Sequence, residues 1–126
     1  MTKRIRTKRI YESPSPDDGV RILVDRIWPR GMSKADAALD HWIKDVAPSA
    51  ELRKWFGHRP ERWTEFRKRY ARELDSNPEG LAELRRLLKG GVVTLLYAAQ
   101  DVERNNAEAL REYLASHRQR TVHRSH

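Results

Sequence analysis

A small α/β domain is the fold class this sequence predicts, and three observations predict it. Residues 92–99, VVTLLYAA, are β-branched and apolar on both faces, as a strand in the middle of a parallel sheet is. Residues 20–28 carry a second apolar run, Ile22-Leu23-Val24, closed by Pro29 and Gly31. Between these runs apolar residues recur at helical spacing. The expected architecture is a sheet of three or more strands with strands two and three parallel. A right-handed multi-helix crossover joins those two, and a C-terminal helix closes the chain.

Taken in order, residues 5–12, IRTKRIYE, form a first strand polar enough for a sheet edge, where charge discourages aggregation. Residues 13–19, SPSPDDG, are a loop, with prolines fixing φ and Asp18-Gly19 supplying turn chemistry. So short a connection leaves no room for a parallel crossover, so strands one and two are expected to be antiparallel. Strand two spans residues 20–28. Ser33 caps a helix with Asp36 in the capping-box position, and Ala35, Ala38, Leu39, Trp42 and Val46 share its face until Pro48. Ser49 caps a short helix carrying Leu52, Trp55 and Phe56, ending at Gly57. Pro60 opens a longer helix with the stripe Trp63, Phe66, Tyr70 and Leu74. Asn77-Pro78 starts another, with Leu81, Leu84, Leu87 and Leu88, stopped by Gly90-Gly91. Asp101 is the expected cap of the last helix, whose inner stripe is Leu110, Tyr113 and Leu114.

The totals narrow the function. A chain of 126 residues makes one domain. It has no cysteine, which excludes disulfides, thiolate catalysis and cysteine-ligated zinc. No segment reaches the ~20 apolar residues of a membrane span and no apolar leader follows the N-terminus, so the expected location is the cytoplasm and no membrane partner is expected. The net charge of +8 resides in the ends. Residues 1–10 carry Lys3, Arg4, Arg6, Lys8 and Arg9, and residues 117–126 carry Arg118, Arg120 and Arg124, with no acid in either. Between them, 18 basic residues face 18 acidic ones. Residues 1–8 read as a basic N-terminal segment and 117–126 as a basic tail. Either these ends hold phosphate backbones, or they are solvated termini.

In open α/β sheets ligands bind beyond the carboxyl ends of the parallel strands. Those ends are residues 25–30 after strand two and 97–101 after strand three. Asp25 interrupts the apolar run as either a structural ion-pair partner or a group of the site, because a buried carboxylate without compensation costs several kcal/mol. Arg26 and Arg30 suit an anion, Arg30 standing just before a helix N-terminus, with the surface cation as the alternative for Arg30. Trp28 lies between them. His58, in a loop between two helices, carries a titratable ring. Tyr70 and Tyr97 are hydrogen-bonding or proton-transfer candidates, and Asn105 orients a ligand from the last helix. The aromatic stripes are core material before they are ligand platforms. His41, His117, His123 and His126 have no partners at metal-ligand spacing, so neither metal nor cofactor is expected. No Walker sequence, dinucleotide fingerprint or nucleophile elbow occurs.

The punctuating residues together carry a resemblance. Arg9-Ile10-Tyr11, the stretch VDRIWPRG ending at Gly31, Lys34, Ala47-Pro48-Ser49, residues 52–58 (LRKWFGH), Trp63 with Phe66 and Tyr70, and residues 94–99 (TLLYAA) with Asn105 resemble the YeaO-like group of small bacterial proteins, a domain-of-unknown-function family. The likeness covers residues 9–116, which are read as the single domain. It implies an α/β fold and a shared polar pocket, and no reaction. Some members of the wider superfamily have cysteines after the last strand. Here Tyr97-Ala98-Ala99 and Asn105 occupy that region, so no thiol role applies.

Three readings follow. The first is a pocket protein or small enzyme taking a phosphate- or carboxylate-bearing small molecule, with Asp25, His58 and Tyr97 as catalytic groups and Arg26, Trp28, Arg30, Tyr70 and Asn105 as ligand contacts. The second is a nucleic-acid-binding module using the basic ends and the helix face from Arg67 to Arg72. The third is a structural or partner-binding protein in which Asp25 and the arginines form a buried ion network.

Overall fold

The computed structural model describes residues 4–117. Four strands, β1 (Ile5–Arg9), β2 (Val20–Leu23), β3 (His41–Trp42) and β4 (Val93–Tyr97), form one sheet in the order β1-β4-β2-β3. Every neighbouring pair is parallel, β4 running between β1 (Ile5 opposite Val93) and β2 (Val20 opposite Val93). All five residues of β4 are buried, as the doubly apolar run 92–99 requires. β1 takes the edge, in keeping with its charged composition.

Helices α1 (Lys34–Ala37), α2 (Ala50–Phe56), α3 (Trp63–Asp75), α4 (Pro78–Leu88) and α5 (Asn106–His117) cover the sheet unequally. Alternation along the strands sends Ile22 and Leu95 into a large core. There they meet Leu52 and Phe56 of α2, Phe66, Tyr70 and Leu74 of α3, Leu81 and Leu84 of α4, and Leu110 and Leu114 of α5. Leu23 and Leu96 point to the other face, into a smaller cluster with Ile10, Ala37, Trp28 and Trp42. The long helices show their spacing in sequence: Phe66, Tyr70 and Leu74 lie four apart on one face of α3. Ser49 caps α2 by accepting from the Leu52 N–H at 3.1 Å, while the Glu73 carboxylate accepts from the Ser49 N–H and hydroxyl.

Four local expectations are corrected. β1 and β2 are not antiparallel neighbours, because β4 lies between them and all run the same way. Residues 10–19, with a 3₁₀ turn at Pro16–Asp18, span up to about 35 Å when extended, enough to return along a strand of this length without a helix. β2 ends at Leu23, not at residue 28. After the Val24 N–H has bonded the Leu96 carbonyl, the Asp25 side chain accepts the Ala98 N–H at 3.0 Å and ends the ladder. The helix expected from Ser33 through Val46 stops after Ala37. Arg21 draws the Ala37 and Ala38 carbonyls to its guanidinium at 2.7 and 3.0 Å, Ala38 turns left-handed (φ 49), and His41–Trp42 pairs with the open edge of β2. Finally, Asn105 caps α5 through the Glu108 N–H at 2.9 Å. Asp101 instead binds the Glu103 and Arg104 N–H groups in a turn before the helix.

Candidate anion pocket

The carboxyl ends of β2 and β4 open into a cavity of about 560 Å³. The loop after β2 supplies Asp25, Arg26, Ile27, Trp28 and Arg30, and the loop after β4 supplies Ala98, Ala99 and Arg104. Pro48, Arg53, Lys54 and His58 approach from α2 and its flanks, Asn105 and Asn106 from the start of α5. Phe56 and Phe66, stacked with ring centroids 4.6 Å apart, give the cavity apolar wall. Its dimensions fall in the range of small-molecule sites.

Asp25 is the one carboxylate among these lining residues. Its two oxygens accept from Asn106 Nδ2 and the Ala98 N–H, each at 3.0 Å, and its backbone carbonyl accepts from Trp42 Nε1 at 2.7 Å. Asn106 Nδ2 also reaches the Val24 carbonyl at 3.1 Å, locking the amide in place. Burial pushes the Asp25 pKa up, opposed by the bonds from Asn106 and Ala98 and by the positive charge of Arg53. Among the described residues no cation comes within 4.0 Å of it.

Four cations of the wall are also free of carboxylates. Arg26, Arg30, Arg53 and Lys54 make no ion pair among the described residues. Arg26 directs its guanidinium to the Ala47 and Pro48 carbonyls at 3.3 and 3.4 Å, long bonds that leave donors over. The Arg30 backbone is fixed by the Tyr11 hydroxyl, which donates to its carbonyl at 2.8 Å. Arg104 differs, pairing with Asp101 at 3.6 Å and Glu103 at 3.4 Å. His58 is exposed and left-handed at φ 58, next to Gly57 at φ 54. On the outer side Arg9 clamps the loop after β4, donating to the Ala99 and Ala98 carbonyls at 2.8 and 3.2 Å.

Of the residues singled out from the sequence, Asp25, Arg26, Trp28, Arg30, His58 and Asn105 line one cavity. Asn105 is buried and spends its side chain on the helix cap and on the Asp101 carbonyl at 2.9 Å. Tyr70 and Tyr97 do not line it. Tyr70 donates to the Val46 carbonyl within the large core, where burial first, then Asp25 and Glu73, raises its pKa. Tyr97 belongs to the same core, its pKa raised by burial and by Glu12. Both aromatic stripes proved to be mainly core, with Phe66 touching the cavity as well. Arg53, Lys54 and Asn106 were missed as pocket groups. In sequence they look like solvated or helix-end residues, although Arg53-Lys54 falls one step off the buried Leu52/Phe56 face of α2, toward the strand ends.

A buried ion network exists, at a different place from the one expected. Asp18 and Arg21, 4% and 5% exposed, pair at 2.6 Å, with Lys8 at 3.1 Å from Asp18. On the α3 face, Arg67 pairs with Glu112 and Arg69 with Glu65, and Arg69 also lies 4.3 Å from the Trp55 ring. Residues 1–3 and 118–126 of the basic ends lie outside the described residues. No helix among the described residues is long and apolar enough to cross a membrane. No group of three or more His, Asp or Glu placed to hold a metal ion occurs among the described residues.

The chain matches, over residues 4–125, the family described as the inactive DUF488-N3 subclade. It is 50% identical over 111 residues to the uncharacterized protein Rv3073c of Mycobacterium tuberculosis, covering 88% of this chain and 93% of that one. It is 42% identical over 112 residues to the uncharacterized protein YeaO of Escherichia coli, covering 89% and 97%. No solved structure matches it.

Proposed function

We propose that this chain, which belongs to the inactive DUF488-N3 subclade and so to the YeaO-like proteins, binds a small phosphate- or carboxylate-bearing molecule at the carboxyl ends of β2 and β4. One observation carries the reading: four cations, Arg26, Arg30, Arg53 and Lys54, border a single cavity with no ion-pair partner among the described residues. Four like charges that face a single lining carboxylate, Asp25, repel one another on balance, and an anion relieves that repulsion. Guanidinium groups present paired donors that match phosphate and carboxylate oxygens. Phe56, Phe66 and Trp28 supply apolar contact for the rest of the molecule.

Binding without turnover is the form this takes. No serine, threonine or cysteine lines the cavity, and the one lining hydroxyl, that of Tyr11, is spent on the Arg30 carbonyl at 2.8 Å. The description of the subclade as inactive agrees. In calorimetric titrations with phosphate monoesters and short carboxylates, at least one is expected to bind the wild type. The Arg30→Ala/Arg53→Ala double variant, with both side chains exposed, is expected to lose about a hundredfold in affinity. Equal affinity in the two proteins, or no binding to the wild type, overturns the reading.

A further inference from the structure

Resting on the anion-pocket reading, the geometry points to a ligand of two ends: we infer that the bound molecule carries, besides its anionic group, an amino or hydroxyl group that donates to Asp25. Asp25 is the one acid of a cavity whose other charged lining residues are cations, and it is held in place by two donors. Asn106 Nδ2 and the Ala98 N–H fix its two oxygens at 3.0 Å each. A carboxylate offers about four acceptor positions, so these two bonds leave half of its capacity open to the cavity. Neither bond neutralises the charge, and among the described residues no cation lies within 4.0 Å.

A purely anionic ligand meets this carboxylate as a like charge, in a partly buried place where solvent screens poorly. Anion capture by itself gives this carboxylate no role beyond its bonds to Asn106 and Ala98. A ligand whose second end is an ammonium or hydroxyl turns the repulsion into a charge-assisted hydrogen bond. Arg30, Arg53 and Lys54 then take the anionic end. The site discriminates between ligands by rejecting those without the donor, because an unmatched buried polar group costs affinity. The class is therefore an amino- or hydroxy-substituted organic phosphate or carboxylate.

The test is calorimetric titration of the full chain with ω-aminoalkyl phosphates of two to five carbons, against alkyl phosphates of matching length. At least one aminoalkyl phosphate is expected to bind about tenfold tighter than its alkyl counterpart. Asp25→Ala is expected to erase that preference, so that the two series bind it alike, with thermal melting showing that the variant folds; Asp25→Asn is the second variant should the alanine disturb the loop. Equal binding of the two series to the wild type, or a preference that survives in both variants, overturns the inference and leaves the anion pocket standing. Binding of neither series overturns the inference, and overturns the pocket with it where the short carboxylates also fail to bind.

Discussion

Replacing Arg21 by methionine is expected to lower the unfolding free energy by about 3 kcal/mol, equivalent to about 10 °C in Tm for a domain of this size. The Arg21 guanidinium donates to Asp18 Oδ2 at 2.6 Å and to the Ala37 and Ala38 carbonyls at 2.7 and 3.0 Å. Methionine fills the volume but leaves two carbonyls without a donor and Asp18 with Lys8 as its one remaining cation. The breaking of a buried pair costs more than its formation contributes, since the surviving charge stays desolvated. Urea unfolding measures the loss; a change below about 1 kcal/mol would place this pair with ordinary surface ion pairs and sink the argument.

The same network sets an acid limit. Burial works to raise the Asp18 pKa, but the Ser15 N–H and the bonds from Lys8 and Arg21 together hold it below the usual carboxylate value. A folded-state pKa below the unfolded one adds stability that is fully present above about pH 4. That contribution is lost as the pH falls through the folded value. In Arg21→Met the depression weakens while burial remains, so the acid-unfolding midpoint is expected to move to higher pH than in the wild type. A pH series of fluorescence-monitored unfolding reads the two midpoints, and coincident midpoints contradict the assignment.

Gly19→Ala is expected to cost about 2–4 kcal/mol. Gly19 sits at φ 64, ψ −137, a conformation outside the reach of ordinary L-residues. An added Cβ would lie 2.2 Å from the Val92 carbonyl oxygen, the same oxygen that accepts the Val20 N–H at 3.0 Å to bring β2 alongside β4. Relief of the clash therefore disturbs the first bond of the central strand pair. Gly31→Ala is the control. Gly31 also has a positive φ, 75, but a Cβ there meets nothing within 4 Å, so only backbone strain of about 1 kcal/mol is expected. Equal denaturation midpoints for the two variants would show that the contact with Val92 carries no cost.

What the sequence determined by itself follows from periodicity and local chemistry. The run 92–99 is apolar on both faces, and such a strand is stable only between two others with layers on both sides. The four-residue spacing of Phe66, Tyr70 and Leu74 makes one helix face, and Ser49 and Asn77 carry cap chemistry that acts within three residues of each. The placement of Asp25, Arg26 and Arg30 at one end of the sheet follows from strand direction alone. These are short-range properties, written in neighbouring residues.

Tertiary structure decided the remainder, because each feature depended on partners outside its own segment. Residues 34–46 have helical spacing, yet the free edge of β2 and the reach of Arg21 ended the helix at Ala37 and left the two-residue strand His41–Trp42 and a 3₁₀ turn at Lys44–Val46. The insertion of β4 between β1 and β2 made parallel a pair that a short loop suggested was antiparallel. Which carboxylate would be paired was settled by position in space as well, although the partners of Asp18 are three and ten residues away. Asp18 found Lys8 and Arg21 within ion-pair distance, whereas Asp25 found Asn106 and Ala98, 81 and 73 residues away, with the charge of Arg53 acting on it from beyond ion-pair distance. Electrostatic compensation depends on distance in space, and a list of residues states charge without stating separation.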